Sequence, residues 1–101
     1  MAAEAAFRLD TATPGTLAVG GALGFSTAAG ALRALDAALQ AGDRTRLDLA
    51  GVNHCDSAGL ACVLEVLAAA RRRGQAVRLE HVPAGMRMLA QVSGVETLLD
   101  G

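Results

Sequence analysis

The chain has few aromatic residues and contains neither lysine, tryptophan nor tyrosine. Aromatic residues make up 2% of it, and both are phenylalanine, while hydrophobic residues make up 52%. The core must therefore consist mainly of Leu, Val and Ala, which bury less apolar area per residue than aromatic side chains do. A core of this kind predicts ordinary stability for a small domain.

The chain also lacks an excess of charge of either sign. Its nine basic residues, all arginine, are matched by ten acidic ones, so the formal net charge is −1. A protein with this balance generates no long-range field that would attract nucleic acid or an anionic lipid surface. We therefore expect no nucleic-acid partner.

Long hydrophobic runs are missing as well. The nearest candidate, residues 58–70, contains Glu65 and is followed by three arginines, and it falls short of the roughly 18 residues that span a bilayer. Residues 1–8 do not have the pattern of a signal peptide. The expected location is the cytoplasm, with membrane association only through a partner.

Motifs for metal, redox or phosphate chemistry are not evident in the sequence. Cys55 and Cys62 have neither zinc nor redox spacing, so two free thiols are expected. The glycines do not form a phosphate-binding loop. The alternative, a metal or catalytic set of His54, His81 and Asp56, requires the fold to bring His81, which is distant in sequence, to the loop that holds the other two. No cofactor is predicted.

Strand and helix patterns alternate along the chain. A turn at residues 11–15 separates two short extended segments, and Gly20, Gly21 and Gly24 mark a bend out of the second. The pattern predicts strands at residues 7–10, 16–20, 45–50 and 76–80, helices at 27–41 and 58–73, and a third helix between Pro83 and Gly94. In that third helix, the side chains expected to face inward are Met86, Leu89, Ala90 and Val92. Ser26 or Thr27 is expected to cap the first helix and Gly42 to close it, whereas residues 95–99 fit either a strand or a helix.

This order predicts one α/β domain over residues 1–101. Its sheet is expected to be mixed but mostly parallel, with four to five strands, three to four helices and an opening β-hairpin.

The most informative segment is residues 47–60. Its pattern predicts a buried strand, a short polar loop and the start of a helix. Asp56 or Ser57 can cap that helix, where free N–H groups and the positive end of the helix dipole meet. Such a junction can bind an acceptor group, or it can present the hydroxyl of Ser57 to a partner.

The helix that follows has one face rich in leucine, at Leu60, Leu64 and Leu67. The opposite face carries mainly small, apolar residues, a composition that lets a partner approach closely. The alternative is that alanine, the best helix former, simply occupies a solvated surface. The residues that we expect to bind a partner are Ser57, Asp56, Ala58, Ala61, Cys62 and Glu65.

Residues 56–60, Asp-Ser-Ala-Gly-Leu, match the D-[ST]-x-G-L pattern at a helix start, and with the strands around them the chain resembles a STAS domain. The segment at residues 79–95 is most similar to the transporter-associated branch of this family. That resemblance implies a non-enzymatic subunit that binds the ATPase of a phospholipid-transporting ABC system and supports its activity.

The alternative implied by the resemblance is an anti-sigma factor antagonist, whose partners are an anti-sigma factor and a serine kinase that phosphorylates Ser57. Phosphorylated members typically have an acidic residue where this chain has Gly24. That difference counts against recognition by a kinase. It is also a difference from transporter-associated members that keep the acid, so the loop at residues 24–26 is expected to contact its partner differently. The neighbouring Phe25 fits either a contact with the partner or an anchor in the core.

Overall fold

The computed structural model describes residues 7–41 and 43–99, which contain four strands and four helices. In chain order the elements are β1 (Phe7–Asp10), β2 (Thr16–Leu23), α1 (Ala28–Ala41), β3 (Arg46–Cys55), α2 (Ser57–Arg72), β4 (Arg78–Glu80), α3 (Ala84–Val92) and α4 (Glu96–Leu99).

The four strands form one sheet in the order β1-β2-β3-β4. The β1–β2 pair is an antiparallel hairpin, and β2–β3 and β3–β4 are parallel. The predicted mixed, mostly parallel sheet with an opening hairpin is therefore confirmed. Both crossovers step in the same direction across the sheet, so right-handed connections place α1 and α2 on one face, where they pack against each other.

The core between the sheet and these helices is aliphatic, as the composition predicts. Its largest fully buried side chains are Leu17, Val19, Leu23, Leu35, Leu39, Leu47, Leu49, Val63, Val66 and Met86. Along β3, the buried Leu47 and Leu49 alternate with Arg46 and Asp48, because successive side chains of a strand point to opposite faces. Arg46 and Asp48 therefore lie on the opposite face of the sheet from this core.

The two central strands are longer than the sequence pattern indicates. The glycines at 20 and 21 do not bend the chain out of β2; they lie within a bulged pairing in which Gly21 has a φ of 84°. Beyond the bulge, β2 and β3 continue to Leu23 and Cys55. The predicted polar loop after residue 50 is thus mostly strand, and only Asp56 separates β3 from α2.

The helices start and end close to the predicted positions. The turn after α2 has Gly74 at a φ of 78°, and the N–H of Gln75 donates to the carbonyl of Ala70 at 2.9 Å, which is the Schellman pattern. Residues 95–99, left open above, end in a short helix whose Leu99 is buried. The expectation that Val92 lies inside is wrong, since its side chain is 83% exposed.

The predicted cap of α1 is only partly correct. Thr27 precedes the helix, and its carbonyl accepts from the N–H of Ala31. Its hydroxyl, however, accepts from the N–H of Gly24 and donates to the carbonyl of Ala22, both of which precede the helix. Gly42, expected to close α1, lies outside the described residues. Among the residues that are described, every helix is too short or too polar to cross a lipid bilayer.

Both edges of the sheet are short and charged. β1 has four residues, including the exposed Arg8 and Asp10, and β4 has three, including Arg78 and Glu80. The two outer strands therefore present unpaired backbone groups over only a few residues each. β3 extends past β4, and among the described residues no strand pairs with that side of it from Leu49 to Cys55.

The first turn of α2 lies directly against the end of β2. At Gly59 a Cβ atom would overlap the backbone carbonyl of Leu23, and it would also approach the Leu23 side chain. Because the obstacle is backbone, a side chain at this position can be accommodated only if the helix shifts. Glycine is therefore required here for α2 to pack closely on β2.

We expect Gly59→Ala to lower the free energy of unfolding by about 3 kcal/mol, since overpacking against backbone cannot relax locally. Urea denaturation measures this change. The matched control is Gly30→Ala in α1, where an added Cβ meets nothing, and which should raise stability by up to about 1 kcal/mol. Equal stability of Gly59→Ala and the unmodified protein would contradict the packing argument.

Candidate docking site

The carboxylate of Asp56 joins two segments that are distant in sequence. Its Oδ1 accepts hydrogen bonds from the backbone N–H groups of Ala58, at 2.9 Å, and Gly59, at 3.2 Å. Its Oδ2 accepts a third, at 3.0 Å, from the N–H of Phe25. Asp56, and not Ser57, is therefore the cap of α2, and it also fixes the turn that follows β2.

These hydrogen bonds favour the ionised form of the carboxyl group. The N–H of Phe25 has the largest effect, and together with the N–H groups at the helix start it lowers the pKa of Asp56. The positive end of the α2 dipole acts in the same direction. The carboxylate of Asp56 is therefore ionised, and the three hydrogen bonds that it accepts come from backbone N–H groups of the protein itself.

The turn at residues 24–27 is held by further hydrogen bonds of its own. The N–H of Gly24 donates to the hydroxyl of Thr27 at 2.9 Å, and that hydroxyl donates to the carbonyl of Ala22 at 3.0 Å. The N–H of Ala28 closes the turn on the carbonyl of Gly24 at 2.8 Å. Phe25 is consequently presented on a fixed backbone with its side chain 88% exposed, which excludes the core-anchor alternative.

Ser57 is the first residue of α2 and is exposed. Because Asp56 provides the cap, the hydroxyl of Ser57 is not needed for it. Within residues 7–41 and 43–99, this hydroxyl makes no hydrogen bond. It is therefore available to a partner, next to the Phe25 turn that Asp56 holds in place.

The exposed face of α2 continues from Ser57 through Ala61 and Glu65 to Arg72. Glu65 and Arg72 form an exposed ion pair at 3.2 Å. Ala58 is half-buried at the edge of this face. We use the name docking surface for Phe25, Ser57, Ala61 and Glu65.

The prediction that Cys62 belongs to this face is wrong. Cys62 is only 5% exposed and Val66 is completely buried, both within the main core cluster. The reason is that α2 packs against α1 as well as against the sheet, so its buried arc extends beyond the leucines to the side where Cys62 and Val66 lie. The outward face is correspondingly rotated towards Ser57, Ala61 and Glu65.

Both cysteines are free, as predicted. Burial, together with the neighbouring Cys55, raises the pKa of the Cys62 thiol to about 11. Burial also raises the pKa of Cys55, with a further contribution from the charge of Asp56. Neither thiol therefore has the lowered pKa that is typical of a reactive cysteine.

The set of His54, His81 and Asp56 is not brought together, because His81 contacts a different carboxylate. His81 lies 2.9 Å from Asp48, through Nδ1 and Oδ1, and its hydrogen bond to Asp48 raises the pKa of His81. His54 lies near Asp56: a Cβ added at Gly24 would come within 3.3 Å of the His54 ring and 3.0 Å of the Asp56 carboxylate. In the described part of the chain, no group of three or more His, Cys, Asp or Glu side chains is arranged to hold a metal ion.

The sequence pattern did not reveal the link between Asp56 and Phe25. The two residues are 31 positions apart, and neither periodicity nor local spacing reports such a contact. The one available signal was Gly24, where an added Cβ would come within 3.0 Å of the Asp56 carboxylate.

Comparison with known protein families identifies the family of this chain. The family model described as "Mlab, STAS domain" matches residues 7–100. The chain belongs to this STAS domain family. No curated protein gives a significant match to the sequence of this chain.

Several solved structures share the fold, and two of them illustrate the likeness. One is the anti-sigma factor antagonist SpoIIAA in its unphosphorylated form, with 21% identity and a TM-score of 0.68; the match covers 92% of this chain and 84% of that chain. The other is the Bacillus cell fate determinant SpoIIAA in the phosphorylated form, with 22% identity and a TM-score of 0.65 over 92% of this chain and 87% of that chain. At these identities the likeness establishes a common architecture.

We expect Asp56→Asn to release the Phe25 turn while the helix remains capped. One amide oxygen can still accept from the start of α2, but the NH₂ group that replaces Oδ2 cannot accept from the N–H of Phe25. Hydrogen exchange measured by NMR should show several-fold faster exchange at the Phe25 amide, with Ala58 and Gly59 retaining their protection.

The control is Asp43→Asn, an exposed carboxyl-to-amide change outside the site, which should leave all three amides unaffected. If exchange of the Phe25 amide is the same in Asp56→Asn and the unmodified protein, the carboxylate does not hold the turn.

Proposed function

We propose that this protein is a non-enzymatic interaction subunit that docks on the ATPase of a phospholipid-transporting ABC system. The contact is made by the docking surface, with Asp56 as the residue that positions it. The observation that carries the proposal is an exposed Phe25 whose backbone is held by Asp56, the residue that immediately precedes the exposed Ser57.

The composition of the docking surface suits a protein partner. Burying an aromatic side chain such as Phe25 contributes roughly 1.5–3 kcal/mol. Ala61 has a small side chain, so a partner helix can approach α2 closely. The turn is already held by Asp56 and Thr27, which reduces the conformational entropy that binding must remove.

The same geometry supports a role without catalysis. A serine nucleophile needs a base aligned with its hydroxyl. The carboxylate next to Ser57 accepts from three backbone N–H groups, so it acts as a structural anchor. Ser57 is therefore placed for contact with a partner.

The choice of partner rests on the family description, which names Mlab, and on position 24. A side chain there would point at the carboxylate of Asp56, so an acidic residue would place two negative charges together. Glycine leaves one carboxylate at this site, a difference from the phosphorylated branch. In this role the protein is cytoplasmic and is brought to the membrane by the ATPase.

We expect Ser57→Glu and Ala61→Arg each to weaken the complex with the ATPase by at least about tenfold, because each places an unpaired charge in a close contact. Phe25→Ala should weaken it about as much through loss of apolar burial. Pull-down and calorimetry with the ABC ATPase of the native host measure these changes.

Matched controls lie on other exposed parts of the molecule: Ser93→Glu after α3, Ala37→Arg on α1 and Val92→Ala on α3. These variants should bind as the unmodified protein does. Undiminished binding by both Ser57→Glu and Ala61→Arg, with their folds intact, would reject this surface as the contact.

A second function, an anti-sigma factor antagonist switched by phosphorylation, is favoured by the accessibility of the Ser57 hydroxyl to a kinase. Phosphate at this position would add a charge of about −1.5 to −2 at the start of α2 and release or recruit an anti-sigma factor. Mass spectrometry of the protein from its native host separates the two functions. The transporter role predicts an unmodified Ser57, whereas stoichiometric phosphate there favours the switch.

A further inference from the structure

A second candidate site lies at the opposite end of α2 from Ser57. A cleft of about 910 Å³ opens between the end of α2, the start of β4, and the helices α3 and α4. Arg71, which lines it, is fourteen residues beyond Ser57, or about 21 Å along the helix axis at 1.5 Å per residue. The cleft is therefore separate from the docking surface.

Positive charge is concentrated in this cleft. Four of the nine arginines of the chain line it, namely Arg46, Arg71, Arg78 and Arg87, and none of the described residues that line it is acidic. The protein as a whole has a formal net charge of −1, so this local excess is not a consequence of its overall composition.

Two of the four arginines lie near acidic side chains. The Nε atom of Arg46 lies 3.6 Å from Glu80, and an Nη atom of Arg87 lies 3.8 Å from Glu96. In the described part of the chain, Arg71 and Arg78 form no ion pair. Arg78 is also directly opposite Arg46 in the parallel β3–β4 pair, an arrangement of like charges that is unfavourable without a counter-charge.

Neighbouring arginines show that ion pairing is available at this end of α2. Arg72 pairs with Glu65 at 3.2 Å, and Arg73 pairs with Asp36 at 2.8 Å. Arg71, a residue of α2 that lines the cleft, differs from both in having no acidic partner among the residues that the structure describes. Its charge is therefore free to act on an anion in the cleft.

The rest of the cleft is compatible with an anionic ligand that has an apolar or planar portion. Leu67, Leu79 and Leu99 provide an apolar wall. The carbonyls of Ala70 and Arg71, at the negative end of α2, already accept hydrogen bonds from Gln75 and Gly74, so they are less repulsive towards an anion. The volume falls within the range of roughly 300–1,000 Å³ that is typical of small-molecule sites.

We propose that this cleft binds a small ligand in which a phosphate group adjoins an apolar or planar portion. The guanidinium groups of Arg71 and Arg78 bind the phosphate oxygens, to which their planar forks are matched. The leucine wall contacts the remainder of the ligand. Both a nucleotide and an anionic phospholipid headgroup have this chemistry.

The test is an NMR titration of the full chain with sodium phosphate and with ATP, together with co-sedimentation on phosphatidylcholine vesicles with and without phosphatidylglycerol. We expect saturable binding of ATP or of the phosphatidylglycerol vesicles, and weaker binding of phosphate alone. Amide signals of residues 71–79 should shift in the soluble titrations. A response to ATP identifies a nucleotide-type ligand, and a response to the anionic vesicles identifies a lipid headgroup.

Arg71→Gln combined with Arg78→Gln should weaken this binding by about tenfold or more, because each change removes a charged hydrogen-bond donor. The control combines Arg8→Gln with Arg33→Gln, two exposed arginines elsewhere that reduce the net charge equally. Equal weakening in both double variants, or no saturable response to any of the probes, would overturn the proposal.

Discussion

The arrangement of the docking surface depends on the carboxylate of Asp56. Three backbone N–H groups from two distant segments converge on its oxygens. The start of α2 and the Phe25 turn are thereby held as one unit, although each belongs to a different crossover of the sheet. This geometry gives a physical reason for each position of the D-[ST]-x-G-L pattern: an anchor, an exposed hydroxyl, a spacer, a close backbone contact and a core residue.

The contact between Gly59 and Leu23 adds a second constraint, because it sets how closely α2 approaches the end of β2. The position of α2 against both β2 and α1 then decides which side chains face solvent. Small residues occur on several sides of this helix, but only those on the side away from α1 and the sheet remain exposed. The fold thus leaves Ser57 and Ala61 exposed out of a longer run of small residues, with Glu65 on the same face.

Local patterns in the sequence were sufficient to predict the architecture, since hydrophobic periodicity and glycine stops located the main helices and the alternation of elements implied parallel strands. They were not sufficient for the orientation of α2. Its leucines suggested an inward direction that ignored α1, and so Cys62 was placed outside. Nor could they separate Asp56 from Ser57 as the cap, because both side chains carry a suitable oxygen and the backbone geometry decides between them.

The short, charged edges of the sheet have a consequence for how this protein behaves among other chains. Exposed edge strands are templates for intermolecular pairing, and charge and brevity both oppose it. With only four residues in β1 and three in β4, these two strands offer little backbone on which a second sheet could extend. When copies of the molecule are brought close together in a larger assembly, β1 and β4 are accordingly poor starting points for polymerisation.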